Sequence, residues 1–161
     1  MIAQRPAEKM PSPRPVAIAR FERLFRVAAG LDIDKADVKR HEELVNRKIY
    51  DLLLRGQANA KANGHVVIEP QDLPITKGLQ ESIQAFREMD ETIALQPILN
   101  YLARRPVLDF TSSEETEAQL PDIAGGVSVA LARAFKLIDP EVKNPESKHW
   151  ERAFGIFDLL L

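Results

Sequence analysis

From Asp34 to Asn63 the chain carries no proline and a single glycine, Gly56. Within that stretch Val38, Val45, Ile49, Leu52 and Leu53 recur at the three- and four-residue intervals that line one side of a helix. The spacing predicts one helix of nearly thirty residues, roughly 40 Å long at 1.5 Å per residue. That is well over twice the usual length of about 11–12 residues. A helix of this reach draws its stability from packing its apolar face, so it demands a partner along its whole length.

The flanks limit how that partner is supplied. Asn63-Gly64 is expected to stop the helix, because both residues tolerate the left-handed backbone of a helix end. "HVVIE" (65–69) is rich in β-branched side chains and is expected as a strand of four or five residues. Asp72 is the expected N-cap of the next helix, with Pro74 in its first turn, where a missing amide hydrogen costs little. That helix, "LPITKGLQESIQAFREMD", sets Ile75, Leu79, Ile83 and Phe86 on one stripe. Upstream, Phe21, Leu24, Phe25 and Ala28 mark a shorter helix that starts at Val16 and closes at Gly30, with Arg20, Arg23 and Arg26 on another face. Prolines at 6, 11, 13 and 15 remove backbone donors and steer the preceding residues away from helix, so residues 1–18 are expected to be a disordered, Pro-rich tail.

The same order returns. "ETIALQPILNYLARR" predicts a helix kinked or restarted at Pro97, and "PVLDF" a short extended link. Ser112 or Ser113 is the expected cap of a second long helix running to Ile138, with Glu114, Glu115 and Glu117 near its positive end. Pro121 should kink that helix or shift its start. Asp139-Pro140 closes it, and "KHWERAFGIFDLLL" supplies a last helix. The organisation is an internal repeat of about 70 residues, 19–90 and 91–161, in an all-α chain of a length that suits one compact unit of about 100–200 residues.

Composition excludes several classes. There is no cysteine, hence no disulfide, thiolate metal site or cysteine nucleophile. No apolar run approaches the roughly 20 residues needed to cross a bilayer, and no secretory leader is visible, so a soluble, cytoplasmic protein without membrane contact is expected. The net charge of −2 argues against a strongly basic packaging protein. The balance is uneven, however. Residues 1–89 hold 15 Lys and Arg against 12 Asp and Glu, whereas residues 90–161 hold 7 against 12.

Short helix, long helix, short helix, twice over, is the element order of two histone folds. The segments "FERLFRVAAGLDIDKADVKR", "RKIYDLLLRGQANAKANG", "DLPITKGLQESIQAFREMD" and "DPEVKNPESKHWERAFGIFDLLL" closely resemble an uncharacterised bacterial family, a domain-of-unknown-function family. Its chains hold two tandem histone folds clasped as an intramolecular pseudodimer. The resemblance covers about residues 19–161. It implies that the first loop of each half pairs with the second loop of the other through short parallel strands, setting "HVVIE" beside "VLDF" and "LDIDK" beside "EVKNP". It also implies where a DNA-binding histone would hold phosphate: at those loop pairs and at the opening helices.

The candidate nucleic-acid-binding residues are therefore Arg20, Arg23 and Arg26 on the opening helix, and Lys35, Lys39, Arg40, Lys143 and Lys148 at one loop pair. The opposite loop pair offers His65 and Glu69 against Asp109, Glu114 and Glu115, a set that repels phosphate. DNA-binding histones brace the second loop with an arginine–aspartate pair; Asp72 fits the aspartate position, but His65 stands near the arginine's, so the brace is weakened or replaced.

Each feature has a plainer account. The arginine stripe fits the solvated face of an amphipathic helix. Glu141 and Glu146 lie among Lys143 and Lys148. "ESKHW" contains one Glu-x-x-His, half of what a di-iron bundle uses, so no metal is expected, and His41 and His65 suit a surface and a loop position. Gly125-Gly126 lacks the strand and the Gly-Lys-Ser/Thr of a phosphate loop; close passage of the two long helices accounts for it better. "FDLLL" either seals the core or offers a self-association surface. No catalytic motif, cofactor or small-molecule substrate is evident. The expectation is a non-enzymatic protein that binds double-stranded DNA weakly and without sequence preference. The alternative is a histone-fold protein-interaction module that does not bind DNA, for a protein partner or for self-association.

Overall fold

The computed structural model describes residues 15–102 and 108–161. Residues 1–14, most of the Pro-rich segment, and 103–107, including Val107 of "VLDF", lie outside them. Six helices and two short strands occur among the described residues, in the order α1 (Pro15–Ala29), α2 (Lys35–Ala62), β1 (Val67–Ile68), α3 (Lys77–Ile93), α4 (Gln96–Leu102), β2 (Thr111–Ser112), α5 (Glu114–Ile138) and α6 (Ser147–Leu160). The fold is thus almost wholly helical, with one long helix, α2 or α5, near the middle of each half.

Helix starts follow side-chain caps. The Asp34 carboxylate accepts from Asp37 N and the Asp37 carboxylate accepts from Asp34 N, which fixes the first turn of α2. Ser113 accepts from Thr116 N at the start of α5. α1 begins at Pro15, a first-turn position where the missing donor is harmless; residues 15–18 therefore belong to the helix rather than to the tail. α3 is capped by Thr76, not Asp72. Asp72 is buried in a 3-10 turn, Pro70–Asp72, so its carboxylate is committed before the helix starts, and Pro74 lies ahead of it.

Three further expectations are corrected. The strand after α2 is two residues long, because His65 N turns back to Ala60 O and the 3-10 turn starts at Pro70. Its parallel partner is Thr111–Ser112, just beyond "VLDF", with Val67 opposite Thr111 and Ile68 opposite Ser112; Phe110 N is taken by Gln57 Oε1, so the ladder begins one residue later. Pro121 does not shift the start of α5, which runs unbroken from Glu114 through it. α3 continues to Ile93, and the break falls at Ala94–Leu95.

The core is continuous between the halves. Phe21, Leu24 and Phe25 of α1, Leu44, Val45, Ile49 and Leu53 of α2, and Val127, Leu131 and Phe135 of α5 belong to one buried cluster. Gly125 and Gly126 do mark a close helix passage, but the partner is α3 rather than α2. A Cβ on Gly125 would fall 2.4 Å from the Phe86 ring, and one on Gly126 2.5 Å from Ile83 Cγ1 and 3.0 Å from the Ile83 backbone. Only residues without a side chain let α3 and α5 approach this closely.

His41, expected on the surface, is also inside, with 1% of its surface exposed between Phe21 and Phe25. Its Nε2 lies 2.6 Å from Ser128 Oγ, a direct α2–α5 link.

Candidate nucleic-acid interface

The end of the molecule where α2 and α6 begin is built by two loops, 30–34 and 139–146. Gly30 turns the first with φ +65°, and buried Leu31 and Ile33 root it in the core. Buried Val142 roots the second, whose shape is fixed where Lys136 Nζ donates to Val142 O at 2.6 Å. Asp32 N donates to Lys143 O at 2.7 Å and ties the two loops together. Deeper in, Trp150 Nε1 donates to Asp37 Oδ1 at 2.9 Å. Burial lifts the Asp37 carboxyl above the usual carboxylate range, against the opposing pull of the bonds from Asp34 N and Trp150. The "ESKHW" sequence is a cap: Glu146 N donates to His149 Nδ1, so the other ring nitrogen carries the proton and donates to Asp139 Oδ2 at 3.0 Å. No group of three His, Cys, Asp or Glu side chains able to hold a metal occurs among the described residues.

Of the eight candidate cations, three have intramolecular work. Arg20 Nη1 donates to Ala94 O at 2.8 Å, at the end of α3. Arg26 faces Asp32 across 3.7 Å, and Arg40 Nη2 donates to Ser147 Oγ at 3.1 Å. Arg23, Lys35, Lys39, Lys143 and Lys148 are exposed. The loop tie brings Lys35, Lys39 and Arg40 to the same end as Lys143 and Lys148, while Arg23 stays on α1. Two helix N-termini also point to this end, which favours an anion, although the Asp34 carboxylate already caps one and Glu146 stands at the start of the other. With Asp32 and Glu141 the carboxylates nearly match the cations.

Sequence reasoning missed the face beside this end. Arg40, Glu43 and Arg47 of α2 and Ser147, Trp150, Glu151 and Phe154 of α6 line a groove of about 450 Å³. Arg47 lies over the Phe154 ring, 5.1 Å from its centre, and also bonds Asp158 at 3.0 Å. Lys48, only 1% exposed, reaches Asp158 Oδ1 at 2.7 Å and Asp51 Oδ2 at 2.9 Å. Its signal was available: Lys48 falls on the same helical stripe as Val45, Ile49 and Leu52.

At the opposite end the expected acidic set is assembled by the β1–β2 ladder, with Asp109, Glu114 and Glu115 exposed beside it. His65 Nε2 lies 2.8 Å from Asp72 Oδ2, which also accepts from Glu69 N. Burial alone would raise the Asp72 carboxyl; the bonds from Glu69 N and His65 together with the His65 charge outweigh it and hold it below the usual range. Both second loops are therefore closed by a His–Asp pair, with the two residue types exchanged: His65 leaves α2 and meets Asp72, whereas Asp139 leaves α5 and meets His149.

These features define an almost wholly helical class of protein, and solved structures share the fold. A protein of Thermus thermophilus known by crystal structure superposes with a TM-score of 0.79 at 51% identity, covering 89% of this chain and 97% of that one. A 1.9 Å crystal structure of a protein of Aquifex aeolicus gives a TM-score of 0.80 at 23% identity, over 96% of this chain and 100% of that one, a likeness of fold. An uncharacterised protein of Aquifex aeolicus (strain VF5) is 31% identical over 151 residues, 84% of this chain and 88% of its own length. Residues 21–158 match the family described as Domain of unknown function (DUF1931), and the chain belongs to that family.

Proposed function

We propose that the chain is a tandem histone-fold pseudodimer that binds double-stranded DNA weakly and without sequence preference through the end where α2 and α6 begin. The observation that carries this reading is the Asp32–Lys143 backbone bond, which joins the two loops and gathers Lys35, Lys39, Lys143 and Lys148 at one end. The histone-fold part draws support from the twofold recurrence of short, long and short helices and from the parallel β1–β2 ladder at the other loop pair. The reading is non-enzymatic: the end offers charge and helix termini but no nucleophile beside a base.

A gel mobility shift at low and moderate salt tests it. Binding at low salt that disappears in K35E/K39E/K143E is the expected result; unchanged binding by that variant, or none at low salt, removes the proposal. Arg40 is left intact because it holds Ser147.

A second reading, a module for a protein partner, is favoured by the last turn of α6. Leu159 and Leu160 are 80% and 68% exposed. On this reading L159E/L160E would abolish capture of such a partner, and the parent would give no mobility shift with DNA at low salt.

A further inference from the structure

Only Ala94 and Leu95 separate α3 from α4. Ala94 has φ +60° and ψ +49°, and it is the one non-glycine residue with positive φ among the described residues. Alanine is the best helix former and carries a Cβ that the left-handed backbone crowds; this position ordinarily takes glycine. The turn is held from outside. The Asp90 carboxylate accepts from Leu95 N and Gln96 N, and Arg20 donates to Ala94 O. Pro97, one residue further, has no amide hydrogen for Ile93 O and so disfavours fusion of α3 and α4 into one helix.

Almost everything joining residues 15–93 to 96–161 is noncovalent and indifferent to this turn. Examples are the β1–β2 ladder, the Asp37–Trp150 and His41–Ser128 bonds, the Lys48–Asp158 pair and the Gly125–Phe86 contact. All would re-form unchanged if the second half came from another copy. We propose that Ala94 is a loaded hinge through which two copies of this chain exchange halves, α1–α3 of each closing on α4–α6 of the other. Opening moves Ala94 to negative φ and relieves its crowding. At the turn it gives up the Asp90 carboxylate and Arg20 bonds and the Ala94 N–Asp90 O bond, and buried Leu95 has to be seated again. This is the balance that makes exchange of identical units a low-cost route to a dimer.

The chain has no cysteine, so V67C/T111C, opposite each other in the ladder, reports which copy supplies β2. After oxidation, an unexchanged chain is linked to itself, and an exchanged pair migrates as a dimer on a non-reducing gel. The interchain fraction is expected to rise with protein concentration during refolding. D90A, which frees the turn, should raise the dimerisation constant about tenfold or more, since two bonds are lost per chain. A94G, which relaxes the turn in place, should lower it at least about thirtyfold. Links confined to single chains in D90A at the highest concentration would overturn the proposal, as would equal dimer fractions in A94G and the parent. A second readout needs no cysteines. Exchanged dimers persist after dilution, because separating them unpacks both cores; prompt dissociation seen by light scattering identifies a surface dimer and rejects the hinge.

Discussion

His41 shows how one residue can carry a property of the whole core. Ser128 Oγ also donates to Ala124 O at 2.8 Å, so its hydrogen is spent, and the His41 Nε2–H must donate to Ser128. The other ring nitrogen, Nδ1, is buried without a hydrogen-bond partner, a neutral lone pair against phenylalanine rings. Burial lowers the pKa from 6.5 to about 4. The sign follows from proton uptake. Between those values the unfolded chain binds a proton that the folded chain refuses, so stability falls as pH falls. The stabilisation is complete above pH 6.5 and is lost on the way down to about 4. Denaturant melts across this window should show the parent losing about 3 kcal/mol more than H41Q, which keeps a donor for Ser128 without titrating. Equal slopes would mean that His41 charges without resistance.

At the scale of elements, the α3–α5 contact and the second loops make separate predictions. Gly126 faces the Ile83 backbone, which cannot swing aside as a side chain tip can. G126A should therefore cost about 2 kcal/mol despite alanine's better helix propensity, seen as a lower urea midpoint. A neutral G126A would show that the two helices can part. At the loop, T76A removes one cap bond and should cost about 1 kcal/mol. D72A should cost about 2 kcal/mol, because it strands the Glu69 amide and the His65 ring. The opposite ranking would mean that the Asp72 carboxylate holds this loop less firmly than the Thr76 cap holds α3. Helix starts at Asp34 and Ser113 are legible in sequence because a cap and its target lie three residues apart. Asp72 misleads because the residue that claims it, His65, stands seven positions back across a loop.

For the whole molecule, charge placement decides more than charge content. Four exposed lysines, Lys35, Lys39, Lys143 and Lys148, bound the phosphate contacts that the proposed interface can make. At about −0.9 per contact, the slope of log affinity on log salt should lie between roughly −3 and −4. A slope near zero would indicate binding that does not release counterions, and so not this surface. No helix among the described residues is long and apolar enough to cross a membrane.

Helix order, the two long helices, most of their caps and the recurrence of the pattern can all be read along the chain. They are set by neighbours within about four residues, through apolar spacing and side-chain-to-backbone bonds. Other properties emerge only on folding: which helix the glycine pair admits, the burial of His41, and the engagement of Arg20, Arg26 and Arg40 within the chain. The turn between the halves at Ala94 belongs with these. Each depends on a partner far away in the chain, whose approach is fixed only when the two halves close on one another.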